Sequence, residues 1–460
     1  MEVAILGRTG RTWVRVLIVP SYPHARNFIY DFPRETMAVF SYFIVTLLGV
    51  LGAWLYEPVR HFVAVLGLRP FEGSANVHGI ETRFIPDTVA CEDLEYHAPS
   101  GLLYTACVGD IEIARGWNPG AEALSRPVKS PYGTIEVIDP LTLKSKRLSL
   151  ENFEGPLATH GIALYTPPSK PDVVYIYAVN HLPNPKWTSE SKTEEKAASQ
   201  VELFVHTVGS DKAQHLRSIV HPLIRTPNDL LAISENEFLV TNDHYYREGM
   251  MRFVEELARG LQSWTDLIHV RFDEEKIDAA VVLDSIATNN GLGWGPDQQV
   301  IIGDAVGGYI YFASLPDAEN RTMSVSHRYP VDCVVDNANF FADPYAGVDG
   351  KDYSGYLLPG VSDALKFVMG FDDPAFKAPI PGQVWYLPAI AGKDKQVDGT
   401  KLRRLVFKDD GHTIRSVTTA VMIPIDPATN GGKREGWLFV TSVIGSSMLA
   451  TKIDFETALV

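Results

Sequence analysis

The sequence predicts a large all-β domain behind a single apolar helix, and two observations carry this. Met37–Tyr56 reads MAVFSYFIVTLLGVLGAWLY, twenty residues without a charge. From about Asp87 to the end, short apolar or alternating runs recur between clusters of Gly, Pro, Asn and Asp. Runs of that kind are strands with turns between them, as in a sandwich, barrel or propeller. About 370 residues is large for a sandwich and fits a propeller of roughly six four-stranded blades. No strict repeat is visible, so blade number does not follow from the pattern alone.

Taken in chain order, residues 1–36 form an N-terminal extension that need not be translated, because Met37 can serve as the start. Residues 37–56 match the length a membrane-spanning helix needs, about 20 apolar residues. A secretory signal has a shorter apolar core and small residues at its cleavage site. This stretch ends in Trp54, Leu55 and Tyr56, which suit a membrane interface, and it is read as an uncleaved transmembrane signal anchor. Arg8, Arg11 and Arg15 place the N-terminus on the cytoplasmic side. Residues 57–86 are a linker or packing segment, and 87–460 are the propeller domain. Two segments interrupt the strands. Residues 186–200 are polar and read as an exposed loop. From Met250 to Ile268, apolar residues recur at spacings of three and four, which predicts a helix. It either caps the domain, or rests on a membrane or lines an active-site mouth.

Composition excludes several functions. There are 41 basic and 56 acidic residues, a net charge of −15, which disfavours a nucleic-acid binder and leaves cations and neutral organic substrates open. Cys91, Cys107 and Cys333 make neither a disulfide framework nor a zinc site. There is no G-x-S-x-G elbow, H-E-x-x-H helix, P-loop or D-x-D-x-D-G loop. What remains is a set of polar pairs, most of them at the ends of apolar runs: Glu92-Asp93, Asn228-Asp229, Asn242-Asp243-His244, Asn289-Asn290 and Asp336-Asn337. His160 and His181 sit in similar settings. One such pair alone is an ordinary turn. Several together offer the carboxylate and amide oxygens a hard cation such as calcium takes.

The strings CEDLE, THGI, VNHLP, VELF, PNDLLAISENEFLVTNDHYY, NGL and VDNANF resemble the serum paraoxonase/arylesterase family of calcium-dependent lactonases, in the family's order from about residue 88 to 340. The resemblance implies a six-bladed β-propeller with two calcium ions in its central tunnel. It carries Glu92, Asn228, Asn290, Asp336 and Asn337 onto the catalytic calcium. Asp93, Asp229 and the carbonyl of Ile162 match the structural calcium. His160 and His181 match a general-base dyad in which His160 activates water, and Asp243 and His244 match a supporting motif. The implied activity is hydrolysis of lactones and aryl esters. The alternatives are a gluconolactonase-like or strictosidine-synthase-like enzyme, or a calcium propeller that binds without catalysis.

Departures from the family are also legible. No cysteine lies near the C-terminus, so no disulfide is expected and the ring closes by strand pairing. Val361 stands where the family carries a tunnel-wall histidine, and the loop 186–200 and the stretch 343–355 are expected to shape the mouth. Asn320 heads the single N-x-S/T sequon. A glycan there, with calcium sites filled at luminal concentration, predicts a membrane-anchored protein with its catalytic domain luminal or extracellular.

Overall fold

The computed structural model describes residues 2–8, 13–19, 28–68, 76–124, 133–191, 193–258, 264–372, 378–393 and 399–460. They form two units, Met1–His61 and Phe62–Val460. In the first, strands Glu2–Arg8, Trp13–Val19 and Phe28–Pro33 make an antiparallel sheet. The helix Arg34–Val65 follows and contains the apolar stretch. Its described side chains Tyr42, Phe43, Leu47 and Val50 are exposed. Among the described residues no helix is long and apolar enough to cross a membrane, and many side chains of the expected anchor 37–56 lie outside the described residues.

The second unit is propeller-like. Four sheets are separate blade-like meanders. The first comprises Thr159–Tyr165, Val173–Pro183, Ala197–Thr207 and Lys212–Ile219, with Ser149–Glu151 added parallel at its edge. The second runs from Pro227–Ser234 to Ile277–Ile286 and the third from Asn289–Trp294 to Val325–Pro330. The fourth is built on Gly355–Val361, Gly382–Pro388 and Arg404–Asp409. The remaining strands form one eight-stranded sheet, so hydrogen bonding does not deliver six separate blades. Its two halves meet at a single pairing, Ser442 with Cys91. Strand residues alternate, and the apolar ones are buried between neighbouring sheets. Tyr177, Leu230, Phe238 and Ile268 make one such layer.

Chain closure follows the expected route. Glu81–Ile85, placed by sequence in the linker segment, pairs antiparallel with Met448–Asp454 over five residues. The absence of any disulfide was the wrong expectation, because Cys91 and Cys107 are bonded. They are direct partners across adjacent strands, a register that sequence spacing does not disclose. The helix expected over 250–268 is also shorter. It spans Met250–Leu257, and Thr265–Phe272 is a strand in which Ile268 is fully buried. Ile268 served equally well as the last residue of a helical period or as an inward strand position. The loop expected to 200 ends earlier, at the strand Ala197–Thr207.

One irregularity repeats on the innermost strands. Each gains one residue relative to its partner, between Cys91 and Asp93, Thr159 and Ile162, Pro227 and Leu230, Asn289 and Leu292, and Val417 and Ala420. In the fourth meander the inner strand breaks into Val334–Val335 and Asn339–Phe341, with Asp336-Asn337 between them. Such bulges re-aim side chains. Here three fall on polar pairs singled out above, Glu92-Asp93, Asn228-Asp229 and Asn289-Asn290, one falls on His160 and one on Thr418-Thr419.

The Cys91–Cys107 bond closes a loop across a sequence separation of 16. Cys91→Ser with Cys107→Ser is expected to lower unfolding free energy by about 2–3 kcal/mol, read from denaturant midpoints. An unchanged midpoint would show that the bond adds nothing to the sheet.

Candidate active site

The bulged segments bring one donor from each of the five sheets to a common cavity. Glu92, His160, Asn228, Asn290 and Asp336 all line a space of about 1070 Å³. Asp243, His244 and Thr418 line it too, with Val361, Phe367 and Phe371 among its apolar walls. Lys196, from the loop 184–196, also reaches it. The stretch 343–355 does not, contrary to expectation. It joins the far ends of its two strands, where the buried Arg434 binds Asp343 at 2.5 Å and Asp349 at 2.6 Å.

Glu92 is clamped at both ends. Its backbone carbonyl accepts the hydroxyls of Thr418 (2.5 Å), Thr419 (2.9 Å) and Thr441 (2.8 Å). Its Oε1 accepts from Asn337 Nδ2 at 2.8 Å. Among the buried oxygens without a hydrogen-bond partner are Glu92 Oε2 and the Oδ1 atoms of Asn228, Asn290, Asp336 and Asn337. These are the five residues that the resemblance assigns to a catalytic calcium. Orphaned buried acceptors are costly, and a cation that takes six to eight oxygens would satisfy them. The donor set therefore fits calcium. Among the described residues no group of three or more His, Cys, Asp or Glu could hold a metal. That agrees with a set of two carboxylates and three amides, in which most of the donors are neutral.

The second set is also assembled, by different bonds. Asp93 Oδ2 accepts from the Ile162 N–H at 3.0 Å, and Asp229 Oδ2 from the Leu292 N–H at 2.6 Å. Each carboxylate also takes the N–H of the residue that follows it, at 2.7 Å. Ile162 thus meets Asp93 through its N–H.

Burial raises all four carboxyls. Glu92 is held well above the usual range by burial, then by the charges of Asp336 and Asp93. Asp229 is raised by burial, Asp93 and Glu92, and Asp336 by burial, Asp93 and Asp243. Asp93 is raised by burial, partly offset by its backbone donors. Asp243 goes the other way: burial pushes it up, but the His244 and Arg252 charges outweigh this and hold it low. Its carboxylate pairs with His244 Nδ1 at 2.8 Å.

His160 and His181 stand edge to face with ring centres 5.5 Å apart. Burial pushes His160 down to about 4, partly opposed by Asp243. Burial and then His160 push His181 down to about 3. His181 is fixed by Ser199 Oγ on Nδ1 (2.8 Å) and by Trp117 Nε1 on its carbonyl (2.6 Å). Sequence reasoning missed Ser199, Trp117 and the three threonines. It also missed two glycines. A Cβ on Gly161 would sit 2.5 Å from Asn228 O and from Asp229 Oδ1, and one on Gly291 would sit 2.5 Å from Asn337 Oδ1. Their signal was a glycine directly after His160 and after Asn290. Asn320 lies apart from the site, on an exposed turn.

Residues 144–348 match the arylesterase family model. The chain is 31% identical over 252 residues to serum paraoxonase/arylesterase 2 of Gallus gallus, covering 54% of this chain and 57% of that protein. It is 26% identical over 283 residues to serum paraoxonase/arylesterase 1 of Mus musculus, covering 59% and 66%. This chain is a relative of the serum paraoxonases/arylesterases. It spans about half to two thirds of the length of the curated relatives it matches. Of the proposed cation donors and the two histidines, the matched span 144–348 holds all except Glu92 and Asp93. A solved gluconolactonase from Xanthomonas campestris aligns at a TM-score of 0.40 with 12% identity, over 83% of this chain and 98% of that one, a likeness too low to carry an argument.

A carboxyl raised in the fold keeps its proton after the unfolded chain, at a pKa of about 4, has lost it. Stability from the four carboxyls therefore falls as pH rises through the raised values. A bound cation removes that penalty. The gap in thermal midpoint between calcium-loaded and chelated protein is expected to widen from pH 5 to pH 8. A gap that is constant or narrows would contradict the assignment of these carboxyls to a cation site.

Proposed function

We propose that this chain hydrolyses lactones and aryl esters with calcium as its resident cation. The observation that carries the reading is the five orphaned oxygens, four of them on cavity-lining residues and the fifth on the neighbouring Asn337, beside two buried histidines. Glu92, Asn228, Asn290, Asp336 and Asn337 would hold the catalytic ion. Asp93, Asp229 and the Ile162 carbonyl would hold a second, structural one. When bound, calcium supplies a Lewis acid that polarises the substrate carbonyl and stabilises charge on its oxygen.

The chain's own groups supply the rest. Val361, Phe367 and Phe371 exclude water and take the apolar part of the substrate. The His160–His181 pair removes a proton from the attacking water. Burial keeps both rings neutral at pH 7, so each keeps one unprotonated nitrogen; that of His160, Nε2, meets Asn228 Nδ2 and takes the water's proton only on leaving that bond. The Asp243 charge favours the protonated form of His160 as it arises. No serine nucleophile is required, in keeping with the missing elbow.

The finer architecture belongs to the same reading. The eight-stranded sheet is two four-stranded blades fused at Ser442 and Cys91, which makes six. Met37–Tyr56 anchors the protein in a membrane. The helix Met250–Leu257 supports a membrane-resting role, because Met250, Phe253 and Val254 are exposed while Arg252 and Glu255 are buried. The catalytic domain is then luminal or extracellular, with a glycan on Asn320.

Turnover of phenyl acetate and of a medium-chain lactone is expected to vanish with a chelator and return with calcium. Asp336→Ala should lower kcat/KM by about 100-fold or more. Chelator-resistant turnover would overturn the metal role. Calcium binding without turnover of either substrate would favour a binding module.

A further inference from the structure

His160 Nε2 and Asn228 Nδ2 lie 3.1 Å apart. An amide nitrogen only donates, so the ring nitrogen accepts and its lone pair is committed. A neutral His160 then carries its proton on Nδ1. The same bond fixes the Asn228 amide and leaves Oδ1 as its other end, one of the five orphaned oxygens. The reverse orientation would turn two N–H groups toward a cation. Asn228 is 4% exposed and His160 7%, so water does not readily replace the ring as acceptor.

We infer that His160 is a positioning residue of the cation site, accepting from Asn228 so that Asn228 Oδ1 faces the ion. This rests on the calcium reading above and adds a role that precedes any proton transfer. His181 differs. Its Nδ1 bonds Ser199, and no hydrogen bond joins its side chain to any of the five donors.

The test is calcium binding to the full chain by isothermal titration calorimetry, which needs no turnover. His160→Leu removes the acceptor and is expected to weaken the site built on Asn228 by about 10- to 100-fold. His160→Gln keeps an acceptor oxygen and should recover affinity to within about threefold of the unaltered protein. His181→Leu, an equally buried loss, should leave affinity unchanged. If His160→Leu does not fold, as judged by its thermal transition, His160→Met supplies the same comparison with His160→Gln. Unaltered affinity in the apolar variant, or a glutamine variant as weak as the apolar one, would overturn the positioning role. An unaltered protein that binds no calcium would instead overturn the reading beneath it.

Discussion

Four carboxyls, those of Glu92, Asp93, Asp229 and Asp336, are buried within one another's field, and the rest of the domain is arranged to tolerate this. Like charges out of water repel strongly, and each would rather stay protonated. Backbone donors answer part of the cost. Asp93 and Asp229 each accept two N–H groups, one local and one from a neighbouring sheet. Three threonine hydroxyls on the Glu92 carbonyl tie that strand to the last inner strand and its partner. The five oxygens left without partners mark the part that protein groups do not answer.

This constraint explains the bulges. In a regular strand, consecutive side chains point to opposite faces. Glu92 and Asp93, or Asn228 and Asp229, would then be separated. An extra residue in each inner strand lets both members of a pair reach the axis. The same crowding explains why glycine follows His160 and Asn290, where a neighbouring sheet's donor fills the space a side chain would need.

Strands were legible in the sequence because their apolar residues alternate or run together between turn residues. The donors were legible as polar pairs at the ends of those runs, and the resemblance sorted them into roles. Other features were not. Ile268 satisfies a helical period and a buried strand position equally, and only pairing with Val240 and Val281 decides between them. The Cys91–Cys107 bond depends on register, which the sixteen-residue separation does not encode. Ser199, Trp117 and the threonines act through contacts between distant segments, so nothing local distinguished them from ordinary strand residues. The Gly/Asp-rich stretch 343–355 looked like a mouth loop by composition. Arg434, some eighty residues further on, holds it at the other end of its sheet.

The distribution of donors has a consequence for the whole ring. Glu92 comes from the sheet that contains the chain's closure, while Asn228, Asn290 and the pair Asp336-Asn337 come from three of the four meanders. A cation bound to this set would therefore be satisfied only when these four sheets are in place, with the remaining meander joined to it through His160. Its binding free energy becomes stability of the closed ring, growing as RT ln(1 + [L]/Kd), about 2.7 kcal/mol at a hundredfold excess over Kd. The seam is where that coupling matters most. The two halves of the eight-stranded sheet share one strand pairing, at Ser442 and Cys91, and Cys91 immediately precedes Glu92. The disulfide holds Cys91 to the next strand of its own half, Leu102–Cys107, and the threonines hold Glu92 to the other half. Seam, disulfide and donor thus occupy two consecutive residues, so a change that loosens the closure would also displace an oxygen of the proposed cation site.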